Sequence, residues 1–223
     1  MSKIKWFTGV ILANLVASQS THANDFEMAL GVASDYVYRG ISQTGEDPAV
    51  QAKFVFKPTQ DVYLRLFASE VSTPWQGNLE LELASGYQLK LNDDFDLIGE
   101  LVYSAFTDEN NGDSDYLEGN LMLHYKQFAA LTLGYTSDYF GTNEAATYAE
   151  GRFNLPLHDV IKTAVYLGRY SIDGAALESY SLMGFDAWTN IGNIEFKLSF
   201  SDTDLENADN ADSRIFVTAS YQF

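Results

Sequence analysis

The chain has 223 residues, 46% of them hydrophobic, with 31 acidic against 13 basic side chains and no cysteine. The missing cysteine rules out disulfides, thiolate metal sites and a lipid anchor on Cys, and a net charge of −18 argues against nucleic acid as a partner, because phosphate binding needs clustered Lys and Arg. An aromatic content of 14% with only four prolines is not the composition of a solvated coil.

The first segment reads as an address. Lys3 and Lys5 give a positive start, Trp6 to Ala17 is apolar apart from Thr8 and Asn14, and Ser18 to Ala23 is small and polar. This is the three-part pattern of a secretory signal, expected over residues 1–23, and it is too short for a spanning helix. Past it no run of about 18 apolar residues exists, so no transmembrane helix is available.

From Phe26 onward the apolar residues recur at every second position, the period of a strand. Phe26, Met28, Leu30 and Val32 alternate with Glu27, Ala29, Gly31 and Ala33, and Tyr36 and Tyr38 continue that apolar face. Val50, Ala52, Phe54 and Phe56 follow, then Val62, Leu64 and Leu66. Leu79, Leu81, Leu83, Tyr87 and Leu89 against Glu80, Glu82, Gln88 and Lys90 is the clearest case. Further strands are expected near residues 94–106, 116–126, 128–137, 146–155, 159–170, 179–188, 193–201 and 213–223. That makes twelve, with ten as the alternative because 159–170 and 179–188 are ambiguous in phase.

The connections alternate in length. Those at 39–48, 70–78, 107–115, 138–145, 171–178 and 202–212 are long and polar, whereas Pro58-Thr59-Gln60, Asn92-Asp93 and Pro156-Leu157-His158 are short. Long loops on one side and tight turns on the other are the habit of outer-membrane barrels. The expected fold is therefore all-β, a single transmembrane antiparallel barrel over residues 24–223, with long extracellular loops and short periplasmic turns. At the chain end Ile215, Val217, Ala219, Tyr221 and Phe223 alternate, and Tyr221 and Phe223 look like the terminal signal that such proteins offer to the barrel-assembly machinery. Lipid allows nothing less than a closed ring, because an open sheet edge would leave backbone groups unsatisfied.

Charge divides with the loops. The six long connections carry 16 of the 31 acids and one base, Arg39. Such a rim attracts cations at range; it can equally serve only to solvate the outside or to bind divalent ions that bridge surface lipid and lipopolysaccharide. The run Asp108 to Asp115 lacks the spacing and final Glu of a calcium loop, so no metal is assigned, and no cofactor is implied. By parity Asp35, Lys53, Arg65, Glu80, Glu82, Glu100, Glu118, Arg152, Lys197 and Arg214 point into the lumen. Arg65 is expected beside Glu80 or Glu82, since their strands are consecutive. These charges read either as a constriction that selects small hydrophilic solutes or as an ion-pair network that plugs the lumen.

The stretch Ser34-Asp35-Tyr36-Val37-Tyr38-Arg39-Gly40-Ile41-Ser42-Gln43-Thr44, followed by Asp47-Pro48-Ala49-Val50-Gln51, closely resembles the TorF-like porins, a proteobacterial family long catalogued without a function. The likeness covers essentially the whole chain. It implies an outer-membrane porin-like protein, and the family's name hints at trimethylamine oxide respiration. Asp35, Arg39, Gly40 and Gln43 match the motif. Their expected role is structural, with Gly40 at a tight loop entry and Arg39 pairing Asp35 four residues back.

Two rival functions have less support in the residues. A barrel hydrolase needs a His beside a Ser or Asp at the outer rim. His22 leaves with the signal, His158 falls in a short turn and His124 lies in mid-strand. An adhesin-like or structural barrel would use exposed Trp75, Tyr139 and Phe140.

Overall fold

A computed structural model describes residues 26–73, 77–107, 114–174, 177–206 and 208–223. The expected leader, Trp75 and most of the acidic run 108–115 lie outside the described residues. The strands are β1 (Phe26–Ala33), β2 (Val37–Tyr38), β3 (Ile41–Ser42), β4 (Ala49–Phe56), β5 (Val62–Glu70), β6 (Leu79–Lys90) and β7 (Phe95–Thr107). They continue as β8 (Tyr116–Tyr125), β9 (Ala129–Thr136), β10 (Ala146–Leu155), β11 (Lys162–Ile172), β12 (Tyr180–Ile191), β13 (Ile194–Thr203) and β14 (Arg214–Gln222). All but β2 and β3 form one closed ring of twelve, each strand antiparallel to its neighbours and β1 pairing both β4 and β14. The ring closes from Ala29 against Gln222 to Ala33 against Thr218.

The two-residue period explains the cross-section. On β6, Leu81 and Leu83 are exposed on the outer face at 43% and 53%, while Glu80 and Glu82 between them are buried at 4% and 7%. The same inversion runs round the ring, with Leu101, Leu117, Leu133, Phe196 and Val217 outside and Ser104, Glu118, Thr132, Ser199 and Arg214 inside. An apolar exterior over a polar interior is the pattern for hydrocarbon outside and water or ion pairs inside. Aromatic groups gather where the strands meet the short turns: Phe26 against Phe54 and Phe56, Phe95 against Tyr125, and Tyr221 against Phe223.

Extending the pairings from Arg65 once round the ring returns to the β5 level at residue 81, a stagger of 81 − 65 = 16 residues. For twelve strands that stagger tilts each one by roughly 40–45° to the barrel axis.

The short connections are built as the residues suggest. Asn92 Oδ1 accepts the N–H groups of Asp94 and Phe95 at 2.8 and 3.0 Å, His158 Nδ1 accepts that of Val160 at 3.1 Å, and Gly192 turns the chain at φ 60°.

Two expectations about exposure are overturned, both at the long-loop end. Tyr36 and Tyr38 do not continue the outer face of β1. The chain leaves the wall after Ala33 and folds inward, and both rings are buried, at 2% and 9% exposure. The connection expected as a polar loop at 39–48 is thus in large part a lumen insert. Tyr139 and Phe140 are likewise not an exposed contact patch. They form a short turn with Phe140 at φ 49°, and they pack against Tyr116, Phe106 and Tyr170 inside the ring.

Candidate functional site

The inserted segment is a small hairpin. β2 and β3 pair through Val37 with Ser42 and Tyr38 with Ile41, and the turn between them is Arg39-Gly40, at φ 46° and 88°. Positive φ at both central residues matches the type I′ turn that suits a tight hairpin, and glycine takes the second position without steric cost. Gly40 is also a close approach: a Cβ there would stand 2.6 Å from Thr203 Cγ2.

The base of the hairpin is tied by Asp35. Its Oδ1 accepts the hydroxyls of Ser42 (2.6 Å) and Thr44 (2.9 Å), and its Oδ2 receives Arg214 Nη1 at 3.2 Å. The partner expected for Asp35 was Arg39, four residues on. The φ > 0 turn instead carries Arg39 away across the lumen, and Arg214 from β14 takes its place. Ser72 completes the base, its N–H donating to Gln43 O at 2.9 Å and its hydroxyl to Thr44 O.

The tip is held by a charged pair. Arg39 Nη1 and Nη2 donate to Glu118 Oε2 and Oε1 on β8 at 2.6 and 2.5 Å, with the two side chains only 1% and 4% exposed. Arg39 Nη1 also donates to Tyr170 Oη at 2.8 Å, and the guanidinium lies 4.0 Å from the Tyr148 ring centroid. The Tyr180 hydroxyl donates to the Arg39 carbonyl at 3.1 Å. A charge removed from water needs a full set of such partners, because desolvation is otherwise the larger effect. Around this pair, two buried groups meet: Tyr36, Tyr38, Phe67, Phe106 and Tyr116 from one side, Tyr139, Tyr148, Tyr170 and Tyr180 from the other. The Tyr116 and Tyr139 rings join them at 5.9 Å.

Below the hairpin, toward the short turns, two charged triads face each other. Arg65 on β5 lies 2.5 Å from Glu82 on β6 and 3.3 Å from Glu100 on β7. Asp186 on β12 meets Arg152 of β10 and, at 3.7 Å, Lys197 of β13, and accepts the Ser199 hydroxyl at 2.6 Å. Each triad has a tyrosine lying over a glycine of the next strand: Tyr63 over Gly86, and Tyr166 over Gly184. Tyr63 donates its hydroxyl to Glu100 at 2.7 Å, and Tyr166 presents its ring to Arg152.

The residues placed in the lumen by parity, together with the motif residues Arg39, Gly40 and Gln43, therefore fall into three groups. Asp35, Arg39, Gly40, Gln43, Glu118 and Arg214 belong to the hairpin and its anchors. Arg65, Glu82, Glu100, Arg152 and Lys197 form the triads. Glu80 is buried on the inner face of β6, and Lys53 lines an inner cavity with Gln51, Glu195 and Lys197. Asp186 was missed by sequence reasoning because 179–188 is ambiguous in phase: it shares the inner face of β12 with the large apolar Leu182 and Trp188. Of the histidines, His124 faces inward on β8 opposite Asp96, and His158 caps a tight turn. At the long-loop rim, Asp204 accepts the Ser181 N–H at 2.6 Å, and this bond holds its carboxyl below the usual carboxylate range.

Among solved structures the fold is shared with the NanC porin: 10% identity, TM-score 0.59, over 89% of this chain and 98% of that one. OccAB3 of Acinetobacter baumannii aligns over 92% of this chain at 13% identity and a TM-score of 0.44, and OccD3 of Pseudomonas aeruginosa at 15% and 0.45. The chain spans 66% of the length of each of these two larger proteins. No curated protein sequence matches the chain. Residues 17–220 match the profile of a bacterial protein family of unknown function, Gcw_chp, and the chain belongs to that family.

Proposed function

We propose that the protein is a porin of the outer membrane that lets small hydrophilic solutes diffuse passively through a narrow lumen, with the Arg39 hairpin as its closure. The observation that carries this reading is the closed ring of twelve strands with an apolar outside and a charged inside. Twelve strands give a lumen between that of eight-stranded barrels, filled by side chains, and that of 16-stranded porins with wide aqueous channels. The resemblance to TorF-like porins supports the same reading, and so does the shared fold with NanC. The long loops would then be extracellular and the tight turns periplasmic, with lipid and lipopolysaccharide around the wall and the barrel-assembly machinery acting on β14. The diffusion needs no cofactor and no energy input. The hairpin and the tyrosine groups fill the long-loop half of the lumen, so in this arrangement passage requires the hairpin to withdraw.

That filled half also supports a second reading, a plugged barrel with a structural or surface-binding role. Single-channel recording of the refolded protein in a planar bilayer separates the two. The porin reading expects brief, infrequent openings of the native chain and sustained steps from Arg39→Ala. If both stay silent while unheated gels show a folded barrel, the plugged reading stands.

A further inference from the structure

The two triads stand level with one another on opposite sides of the ring, and their formal charges are opposite. Strands β6 and β12 are six places apart in the ring of twelve. The ladder through Arg65 and Ala84 runs by Val102, Glu118, Thr136 and Ala146 to Ile172, and its extension meets the β12 line at residue 178. Half the ring carries half of the stagger, so the β12 residue level with Ala84 lies eight positions nearer the tight turns, which is Asp186. By the same count the level of Arg65 on β8 is Met122, four residues below Glu118, so both triads lie beneath the hairpin tip.

One base between two acids leaves the Arg65, Glu82 and Glu100 triad with an excess negative charge. One acid between two bases leaves the Asp186, Arg152 and Lys197 triad with an excess positive charge. The buried Glu150, two residues from Arg152 on β10, stands outside these ion pairs and accepts the Tyr148 hydroxyl at 2.6 Å. Two further features mark the positive side as a place for a carboxylate. A cavity of about 80 Å³ opens beside Lys197, lined also by Gln51, Lys53, Glu195, Thr218 and Ser220, so that the two bases Lys53 and Lys197 outnumber its one acid. The Trp188 indole N–H, buried on the same face of β12 two residues from Asp186, has no acceptor among the described residues.

We propose that the lumen recognises zwitterionic solutes, with an ammonium group turned to Glu82 and Glu100 and a carboxylate to Arg152, Lys197 and the Trp188 N–H. A solute without ionised groups gains little from a transverse field, and a singly charged one is drawn to one wall only. A molecule with both charges is aligned across the lumen, which is the arrangement in which charge complementarity gives specificity. The inference deepens the porin reading and rests on it for the route, but binding can be read without conduction.

The test uses Trp188 as reporter in the Trp6→Phe/Trp75→Phe protein, refolded in detergent, where Trp188 is the only tryptophan of the chain. Its fluorescence is titrated with ω-amino acids from glycine to 8-aminooctanoate, and with hexanoate and hexylamine. The expected result is saturable binding of at least one amino acid, about tenfold or more tighter than either singly charged compound. Lys197→Gln should weaken the amino acid toward the hexylamine value and Glu100→Gln toward that of hexanoate. Lys197→Arg should restore binding, and Lys90→Gln at a tight turn should change nothing. Hexanoate or hexylamine binding as well as the amino acids would overturn the proposal, as would no response in both the parent and its Arg39→Ala form. Channel steps without amino-acid binding would sink this inference and leave the porin reading. Binding without steps in any hairpin variant would sink the porin reading alone.

Discussion

Arg39, at the tip of a hairpin folded into the lumen, is bound by both terminal nitrogens to Glu118 on the far wall, 79 positions along the chain. The pair ties the one inserted strand pair to the barrel at a point where both side chains are almost fully removed from water. Breaking one partner of such a pair leaves the other charge buried and uncompensated, at a cost of about 3–5 kcal/mol. That cost falls on the seated state of the hairpin, because withdrawal returns the surviving charge to water.

Arg39→Ala should therefore shift the hairpin outward while the barrel itself persists. The measurement is channel open probability in a planar bilayer, expected to rise by about a hundredfold or more if even 3 kcal/mol is lost from the seated state. The double variant Arg39→Ala/Glu118→Gln removes both charges and should be closer to the native protein in stability than either single change. An unchanged open probability in Arg39→Ala would show that the pair does not hold the closure.

Gly40→Ala tests the same element through the backbone. The residue sits at φ 88°, and an added Cβ would press on Thr203 at 2.6 Å, so both strain and contact oppose the seated hairpin. We expect about 1–3 kcal/mol against seating, read as more frequent openings than the native chain and fewer than Arg39→Ala. Combining Gly40→Ala with Thr203→Ser should relieve the contact and leave only the backbone strain.

The wall of this protein was legible in its sequence, and the insert was not. Leu81, Leu83 and Leu89 against Glu80 and Glu82 place β6 and its two faces without ambiguity, because a slip of one residue would turn five apolar groups inward. Ten of the wall strands follow from the same signal, whereas β11 and β12 are ambiguous in phase because they carry large apolar or aromatic groups on both faces, Tyr170, Leu182 and Trp188 inside against Leu167 and Met183 outside. Tyr36 and Tyr38 keep that period after Ala33, so alternation alone extends β1 through them. What breaks the strand is Asp35, which gathers Ser42, Thr44 and Arg214. Those partners lie up to 179 positions away, and nothing in a local pattern announces them. The pairing of Arg39 with Glu118 is hidden for the same reason. A sequence cue does exist: Arg39-Gly40 between Val37-Tyr38 and Ile41-Ser42 has the form of a tight hairpin, set within a connection too long for a plain strand.

Gly184→Ala probes the wall near the positive triad. A Cβ at this position would lie 2.1 Å from Tyr166 Cζ and 2.6 Å from the Phe200 carbonyl oxygen. The ring could swing aside, but the backbone oxygen of the next strand could not. Overpacking of this kind costs about 1–3 kcal/mol. The expected reading is a lower unfolding midpoint in urea or heat, followed by the gel shift between folded and heated barrel. Tyr166→Ala together with Gly184→Ala should not recover the loss, since the Phe200 contact remains; recovery would assign the cost to the ring alone.

The opposed triads make a paired prediction about ion selectivity, best read in the Arg39→Ala background where conduction is sustained. Arg65→Glu places three carboxylates at one wall and should shift the reversal potential under a salt gradient toward cations. Asp186→Asn leaves Arg152 and Lys197 without their shared acid and should shift it toward anions. A change of about threefold or more in the permeability ratio is the scale at which charged rings act in narrow pores. Because Arg65→Glu crowds like charges, Arg65→Gln serves as the milder partner and should shift selectivity in the same direction by less. Equal reversal potentials in all four proteins would mean that ions pass without meeting the triads. Displacement in the same direction for Arg65→Glu and Asp186→Asn would mean that the two walls do not act as opposite poles.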